Sequence, residues 1–225
     1  MRSHFFVFVI SVLLFSCSKE KHEGIYEHGQ IQYKIVYLNE DNGNFDPSLL
    51  PKKMTMTFDK DNCSILIDGF MGFFKLENRT SFKKKKSTTQ LKVLDKRYLF
   101  YGGRNELMCC FDAFEDMIIK EDTTTKTIAG LKSYHGIATI PGLKETFDIY
   151  YTNDINISDP NITNPYRGIN GILTEFVLIM GPYKMRFEAQ EFNPDKLPDD
   201  KLKISDKTVE VSREEMVYAL ERLMK

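Results

Sequence analysis

Apolar and polar residues alternate along short segments of this chain, and this period of two constrains its fold more than any other feature. The alternation is clear over residues 31–37 and cleaner over residues 54–58. Successive side chains of a β-strand point to opposite faces of a sheet, so such segments are expected to be half-buried strands. Residues 59–62 and the Asp68-Gly69 pair have the composition of turns. The sequence therefore predicts antiparallel hairpins.

The same pattern recurs along most of the chain, with no long helical period between the segments. Further predicted strands are residues 63–67, 70–76, 91–94, 98–101, 108–111, 117–120, 126–128, 134–140, 146–151, 172–180 and 183–192. A sheet of so many twisted strands rarely stays flat. We therefore predict a mainly β fold: one antiparallel, strongly curved sheet that forms a half-open barrel. A β-sandwich is the alternative.

The C-terminal segment has a different pattern, which predicts a helix at about residues 213–224. Ser212 and Glu215 have the spacing of a capping box, with Ser212 as the N-cap. Apolar residues at helical spacing begin at Met216 and form one stripe. Residues 25–225 are therefore expected to be a single β-rich domain that ends in this helix.

The first residues have the order of a secretory signal that ends at a lipidated cysteine. An apolar run covers residues 5–15, and the small Ser16 precedes Cys17. At about 1.5 Å per residue this run is too short to cross a hydrocarbon core of about 30 Å, which indicates a signal peptide rather than a membrane span. We predict a signal peptide over residues 1–16, lipidation of Cys17 and a lipidated tether over residues 17–24.

This beginning predicts an outer-membrane lipoprotein, on the periplasmic face or the cell surface, whose N-terminal lipid is its contact with the membrane. Several acyl chains on one cysteine make a stable anchor, because each buried methylene contributes about 0.8 kcal/mol. The alternative is a plain cleavable signal in which Cys17 is incidental. Phe15 stands where a small or aliphatic residue is usual before a lipidated cysteine.

Composition and charge argue against several classes of function. The chain has 31 Lys and Arg against 32 Asp and Glu, a formal net charge of −1 at pH 7, so its overall charge gives no reason to expect a nucleic-acid partner. Cys63, Cys109 and Cys110 remain besides Cys17. They are expected to be small buried side chains, or to form one disulfide between Cys63 and one of the adjacent pair.

No set of residues identifies a catalytic chemistry. His4 lies in the predicted signal peptide, and His22 and His28 lie in or beside the tether. A Ser-His-Asp or Cys-His catalyst would therefore have to use His135. The chain contains neither a Gly-x-Ser-x-Gly elbow nor a His-Glu-x-x-His zinc motif. We expect a protein that is not an enzyme and takes no cofactor and no metal, with His135 an ordinary strand residue.

Four consecutive lysines form the strongest local charge feature: Lys83, Lys84, Lys85 and Lys86. As a functional element they are predicted to meet anionic head groups or lipid phosphates at a membrane surface. The alternative is a solvated hairpin tip, whose charge discourages edge-to-edge aggregation.

Three blocks resemble, in order, the motifs of the GLPGLI family, a group of Bacteroidetes envelope proteins. Residues 127–132 read Thr-Ile-Ala-Gly-Leu-Lys, residues 149–155 contain an aromatic-Tyr-Thr block, and residues 165–173 match the naming motif. The positions kept in that motif are Gly168, Gly171 and Ile172. The two glycines are expected to accept positive φ in a turn that leads into a strand.

The resemblance implies a secreted, mostly β protein whose shape is similar to the half-open barrels of LolA-like lipid carriers. The chain departs from the family at Ser133, where a cysteine is common, and at Asn170, which replaces a proline. The resemblance therefore does not imply a disulfide at residue 133, and the backbone at residue 170 lacks the rigidity that a proline would give.

The apolar strands and the resemblance together predict a non-catalytic protein that binds an apolar or amphiphilic ligand on its curved sheet. Residues 70–74 are apolar on both faces of their predicted strand, as in a fully buried strand or a cavity wall. The predicted cavity residues are Phe70, Phe73, Phe74, Tyr101, Phe147, Tyr151, Phe176 and Leu178. The alternative is a structural or interaction subunit of an outer-membrane assembly, with an envelope protein as its partner.

Overall fold

A computed structural model describes most of the predicted domain: residues 25–38, 50–111, 117–199 and 202–224, with the backbone alone at Phe70, Leu143, Leu223 and Met224. The predicted signal peptide, Cys17 and the tether lie outside the described residues. Within these ranges the strands are β1 (Gly29–Tyr37), β2 (Lys53–Phe58), β3 (Asn62–Asp68), β4 (Phe74–Ser81), β5 (Lys86–Val93), β6 (Lys96–Tyr101), β7 (Ile118–Ile128), β8 (Leu131–Ile140), β9 (Glu145–Thr152), β10 (Ile172–Met180), β11 (Tyr183–Asn193) and β12 (Thr208–Glu210). One helix, α1 (Arg213–Met224), follows.

All twelve strands lie in one sheet that is not closed. Its order is β12-β6-β5-β4-β3-β2-β1-β11-β10-β9-β8-β7, so most strands pair with their neighbours in the chain. The long-range exceptions are β1 with β11 and β6 with β12. A mainly β chain with one large sheet and a C-terminal helix is confirmed, whereas two packed sheets of a sandwich are not what the described strands form.

The prediction of a strictly antiparallel sheet is wrong at one edge. Thr208–Glu210 of β12 runs parallel to β6, with Val209 opposite Tyr98. Parallel neighbours need a long crossover connection, and residues 102–207 supply it. The sequence of a three-residue strand does not indicate whether its neighbour runs parallel or antiparallel to it. This pairing therefore depends on the tertiary structure.

The predicted alternation gives the sheet one apolar face and one polar face. In β1 the side chains of Ile31 and Tyr33 are buried, while the alternating Gln30 and Gln32 are half-buried on the other face. The register continues the apolar face across neighbouring strands, because Tyr33 lies opposite Met54. Burial of such side chains supplies the main driving force for folding.

The apolar face is covered by segments that cross it and by α1. Tyr166, in the connection between β9 and β10, is fully buried, and its hydroxyl donates to the carbonyl of Val177 at 2.6 Å. The buried hydroxyl of Tyr33 donates to the carbonyl of Leu173 at 2.7 Å, so both buried phenols have partners, as buried polar groups require. Met216 of α1 is also fully buried.

The helix begins as predicted, with a capping box. The backbone N–H of Glu215 donates to Oγ of Ser212 at 3.2 Å, and the backbone N–H of Ser212 donates to Oε2 of Glu215 at 2.8 Å. Two backbone donors that the first helical turn leaves unpaired are thereby satisfied.

Two predicted strands are wrong in whole or in part. Residues 70–72 form a 3-10 turn with Met71 at φ 50°, so β4 begins only at Phe74. Residues 108–111 form a buried turn, in which Cys110 has φ 76° and the N–H of Met108 donates to the carbonyl of Thr163 at 2.7 Å. Short apolar runs do not distinguish a strand from a buried loop, which explains both errors.

The two short strands predicted at residues 117–120 and 126–128 are parts of one strand, β7. Its register against β8 shifts between Glu121 and Thr125, which interrupts the alternation that the sequence shows. β7 is an edge strand, and nearly all of its side chains are exposed or half-buried.

Candidate functional site

The polar face of strands β1 to β4 forms a pocket with the segment that follows β11. The pocket has a volume of about 330 Å³ and is lined by Gln30, Thr55, Thr57, Ser64, Leu66, Lys75, Glu77, Arg79, Leu197, Pro198, Asp199 and Lys203. Its floor is the sheet, and residues 197–199 with Lys203 form a wall. This volume lies at the lower end of the range for small-molecule sites, about 300–1,000 Å³.

Strand register brings the polar residues of the floor into one row. Gln30 lies opposite Thr57, Thr57 opposite Ser64, and Ser64 opposite Arg79. Directly opposite side chains in antiparallel strands are about 4.5–5.5 Å apart at Cβ. The side-chain amide of Gln30 donates to Oγ1 of Thr57 at 3.0 Å. The row therefore presents hydroxyl and amide groups at fixed spacing.

The pocket also contains charges that are only partly compensated. Nζ of Lys75 lies 3.2 Å from Oε2 of Glu77, an ion pair within β4. The guanidinium of Arg79 donates to the backbone carbonyl of Asp199, while its Nε is buried without a hydrogen-bond partner. Among the described residues, neither Arg79 nor Lys203 forms an ion pair with a carboxylate, so positive charge remains in this pocket.

A second polar cluster holds β7 to the sheet through His135 of β8. Nδ1 of His135 lies 2.6 Å from Oδ2 of Asp122 in β7, and Nε2 lies 3.0 Å from Oδ1 of Asp148 in β9. Both carboxylates are acceptors, so the ring serves both best as an imidazolium. The hydrogen bond to Asp148, with a further one to Asp122, raises the pKa of His135 above its usual value.

The His135 cluster contributes charge interactions between β7, β8 and β9, and neither nitrogen of His135 is free to act as a base. Both ring nitrogens of His135 are engaged by carboxylates, and the pKa of Asp122 is lowered mainly by its hydrogen bond with His135. Beside it, Nζ of Lys126 lies 2.8 Å from Glu175 and 3.5 Å from the ring centre of Tyr150. Within the described ranges, no group of three or more His, Cys, Asp or Glu could hold a metal ion.

The pH dependence of stability is expected to contain a contribution from His135. Because its folded pKa is raised, its stabilising contribution is full below the unfolded value of about 6.5 and is lost as pH rises through the folded pKa. Thermal midpoints measured across this window should therefore fall more steeply with pH in the wild type than in His135→Gln. The exposed His28 allows a matched control, His28→Gln, which should keep the wild-type slope. Equal slopes in all three proteins would contradict the assignment.

The predicted cavity residues do not converge on one site. Phe74, Tyr151, Phe176 and Leu178 are buried in the apolar core, whereas Phe73 and Tyr101 are each 52 % exposed. Phe147 is partly buried against the core, and the side chain of Phe70 is outside the described part. None of the seven described side chains lines the polar pocket.

Aromatic contacts fill the region around Phe176. Its ring stacks on Phe187 with centroids 5.2 Å apart, and Tyr33 and Tyr166 contact it edge to face at 5.8 and 6.0 Å. Such contacts are typical of a packed core. Burial also raises the pKa of the Tyr151 hydroxyl to about 12, so this phenol stays neutral.

The three cysteines of the domain are buried and carry free thiols. Sγ of Cys110 lies 3.2 Å from Sγ of Cys109, within the turn that replaces the predicted strand. Burial raises the pKa of the Cys63 thiol to about 12. Cys63 is thus a small apolar core residue at neutral pH, and the structure does not join it to the adjacent pair.

In the GLPGLI-like segment, Gly171 is needed for the space that it leaves rather than for its φ. Neither Gly168 nor Gly171 has a positive φ, contrary to expectation. A Cβ at Gly171 would lie 2.7 Å from both the carbonyl oxygen of Thr152 and Cδ2 of Tyr151. The carbonyl of Gly171 accepts a hydrogen bond from Nδ2 of Asn161 at 2.8 Å. This segment leads into β10, as predicted.

Sequence reasoning identified the strands of the polar pocket but missed the pocket itself. The signal is present in β1, β2 and the start of β4, where polar positions alternate with apolar ones, but it ends before Arg79, because Asn78 and Thr80 on either side of it are polar. The alternation by itself predicts only half-buried strands, because register and the wall at residues 197–199 are not visible in local patterns. The described helix is neither long nor apolar enough to cross a membrane.

Comparisons with known proteins add the fold alone. Neither a family model nor a curated protein matches this chain. A solved structure described as PNGF-II in the C2 space group is similar, with a TM-score of 0.53 and 14 % sequence identity. The similarity covers 85 % of this chain and 32 % of that chain, so this chain spans about a third of the larger protein.

Proposed function

We propose that this protein is a non-catalytic, lipid-anchored envelope protein that binds a small hydroxylated anion in the polar pocket. The observation that carries the proposal is the pair of cations, Arg79 and Lys203, which line the pocket and form no ion pair with any described carboxylate. An acidic sugar has the required chemistry, with one carboxylate and several hydroxyl groups.

The electrostatics of the pocket favour an anion. Glu77 is already paired with Lys75 at 3.2 Å, which leaves two cations facing the single acidic side chain of Asp199 in the lining. The floor residues are half-buried, so charges interact there more strongly than they would in open water. Arginine recognises carboxylates well because its planar guanidinium offers paired donors.

The uncharged lining favours a ligand with hydroxyl groups. Thr55, Thr57 and Ser64 each offer one hydroxyl donor and two acceptor positions, and Gln30 offers both kinds of group. The apolar lining is confined to Leu66, Leu197 and Pro198. For this reason we favour a polar ligand, while the apolar or amphiphilic ligand inferred from the sequence stays a prediction.

The proposed location and shape come from sequence patterns. The signal-like residues 1–16 and Cys17 support an outer-membrane lipoprotein, and the GLPGLI resemblance supports an envelope protein. We also propose that the sheet is curved, because register shifts in β1 at Gln32/Tyr33 and in β10 at Leu173/Glu175 increase local twist. A flat sheet in a crystal structure would contradict the LolA-like shape.

We propose that the protein is not a catalyst because of the hydrogen bonds that His135 forms. A general base needs an unengaged nitrogen near its substrate, and both nitrogens of His135 are bonded to carboxylates. His135 also lies outside the pocket lining. Binding without chemistry is therefore the function that these residues support best.

Calorimetric titration of the purified full chain tests the proposal. We expect glucuronate to bind and glucose, its neutral counterpart, to bind at least about tenfold more weakly. Arg79→Gln should weaken glucuronate binding about tenfold or more, because a hydrogen bond to a charged group contributes about 1.5–3 kcal/mol. In the same preparation, the mass of the N-terminal peptide reports whether Cys17 is acylated.

The matched control is Arg97→Gln, which removes an arginine from β6, two strands away from β4 and outside the pocket lining. It should leave glucuronate binding unchanged. No binding of glucuronate, galacturonate or glucose 6-phosphate would overturn the pocket proposal, as would equal affinity in Arg79→Gln. An unmodified Cys17 would overturn the anchor and leave the pocket proposal standing.

The alternative function, an interaction subunit of an envelope assembly, stays a prediction that one observation favours. β7 is an edge strand of eleven residues with largely exposed side chains. An edge strand presents unpaired backbone groups, which a strand of a partner can bind. A pocket that binds none of the three anions, in a protein that pairs with a partner along β7, would favour this function instead.

A further inference from the structure

Lys83, Lys84 and Lys85 lie in the turn of the β4–β5 hairpin, and Lys86 is the first residue of β5. Phe82 is 8 % exposed and anchors this turn in the core, and its N–H donates to the carbonyl of Asp61 at 2.8 Å. Lys83, Lys84 and Lys86 are exposed. The turn therefore holds the lysines outside the core while its own base is fixed.

Two arginines from other parts of the chain join this turn. The N–H of Asn105 donates to the carbonyl of Lys85 at 2.8 Å, and the guanidinium of Arg167 donates to the carbonyl of Asn105. Arg104 is exposed next to Asn105. We call the resulting cluster the basic end surface; it comprises Lys83, Lys84, Lys85, Lys86, Arg104 and Arg167.

Few ion pairs with described carboxylates neutralise the basic end surface. Nζ of Lys85 lies 3.5 Å from Oδ2 of Asp159, an exposed pair. The carboxylate of Glu106 accepts from the N–H of Gly103 and pairs with Arg213. The other five cations of the surface have no ion-pair partner among the described residues, so the cluster keeps a strong positive charge in a protein that is nearly neutral overall.

Lys85 has a backbone conformation that glycine would adopt at lower cost, as have Asn105 and Asp159 beside it. Lys85 and Asn105 have φ of 54° and 59°, and Asp159 has φ of 51°. Residues other than glycine adopt this left-handed region at a cost in free energy, and glycine would take it more easily. A lysine at residue 85 therefore retains a charge where the backbone alone would favour glycine.

The described chain begins at the same end of the sheet. The N–H of Tyr26 donates to the carbonyl of Asp154 at 2.9 Å, and Glu27 pairs with Lys60 of the β2–β3 turn at 2.5 Å. That turn contains Asp61, whose carbonyl binds the lysine turn. The described residues that follow the predicted tether therefore start at the end of the sheet that holds the basic end surface.

We propose that the basic end surface rests on an anionic lipid surface and orients the anchored protein on its membrane. The inference rests on the proposed membrane location and is independent of the ligand in the pocket. Lysine and arginine near an anionic membrane each strengthen binding about fivefold. The attraction acts within about 8 Å at physiological ionic strength, so the surface must lie close to the head groups.

Acetylation of lysines in the full chain bound to vesicles tests this orientation. In phosphatidylcholine vesicles that contain phosphatidylglycerol, Lys83, Lys84 and Lys86 should lose reactivity relative to pure phosphatidylcholine vesicles, because anionic head groups hold these amines at the membrane. The exposed lysines Lys53 and Lys96, at the opposite end of the sheet, serve as the internal control and should react equally in both. High salt should remove the protection, because it screens exposed charges.

Two matched triple variants make the test independent of labelling. Lys83→Gln with Lys84→Gln and Lys86→Gln should lower partition onto anionic vesicles about a hundredfold, at fivefold per lysine, and leave glucuronate binding unchanged. The control replaces Lys52, Lys53 and Lys96 by glutamine and should retain the wild-type partition. Equal acetylation in both vesicle types, or equal loss in both triple variants, would overturn the proposal. If a triple variant lost glucuronate binding and kept its partition onto vesicles, this result would bear on the pocket proposal alone.

Discussion

Replacing Phe176 by alanine is expected to lower the free energy of unfolding by about 3–5 kcal/mol. The side chain is 4 % exposed and stacks on Phe187 with ring centroids 5.2 Å apart. Tyr33 and Tyr166 contact it from the side. Removal of the ring leaves a cavity that these buried neighbours cannot easily fill, so the loss contains a transfer contribution and a cavity contribution.

Urea denaturation of the wild type and two variants measures this effect. Tyr101 was predicted to line the same cavity as Phe176, but it is 52 % exposed at the end of β6. Tyr101→Ala should therefore change the free energy of unfolding by no more than about 0.5 kcal/mol. A loss below about 1 kcal/mol in Phe176→Ala would contradict the packed core and support the apolar cavity that the sequence suggested.

Replacing Gly171 by alanine is expected to lower the free energy of unfolding by about 1–3 kcal/mol or more. Its Cβ would lie 2.7 Å from the carbonyl oxygen of Thr152 and 2.7 Å from Cδ2 of Tyr151. One of these contacts is with backbone of the adjacent strand β9, which cannot rotate away as a flexible side chain does. The pairing of β9 with β10 must therefore shift to admit the methyl group.

The second glycine of the same motif is the control. A Cβ at Gly168 would meet only Cδ1 of Ile119, at 3.7 Å, an ordinary van der Waals contact. Gly168→Ala should therefore leave the thermal midpoint nearly unchanged, while Gly171→Ala lowers it by several degrees. Equal midpoints in the two variants would show that the close approach at residue 171 is relieved without strain.

Local patterns predicted those parts of the fold whose burial follows a single period. β1, β2 and β10 lie where their alternating or apolar segments placed them, and α1 begins at the capping box of Ser212. In these elements, side chains point alternately to the core and to the other face with the period that the backbone geometry of a strand or helix sets. Residues 108–111, where a strand was wrongly predicted, are apolar because they form a turn that is buried inside the protein.

The candidate site was far less predictable than the strands that build it. The lysine cluster is visible as four consecutive charges, whereas Arg104 and Arg167 join it only through Asn105. Similarly, Gln30 and Arg79 are 49 positions apart in the sequence and share a row only because four strands pair in one register. Local periodicity contains no information about which strand lies beside which.

By itself, then, the sequence determined the mainly β character of this protein, the terminal helix and the division of alternating strands such as β1 and β2 into an apolar and a polar side. Those properties depend on residues within a few positions of one another. Only the tertiary structure decided that β1 pairs with β11, that β12 runs parallel to β6 and that the polar sides of β1 to β4 form one pocket. These outcomes depend on contacts between distant segments, whose free energy is gained only when the whole sheet assembles.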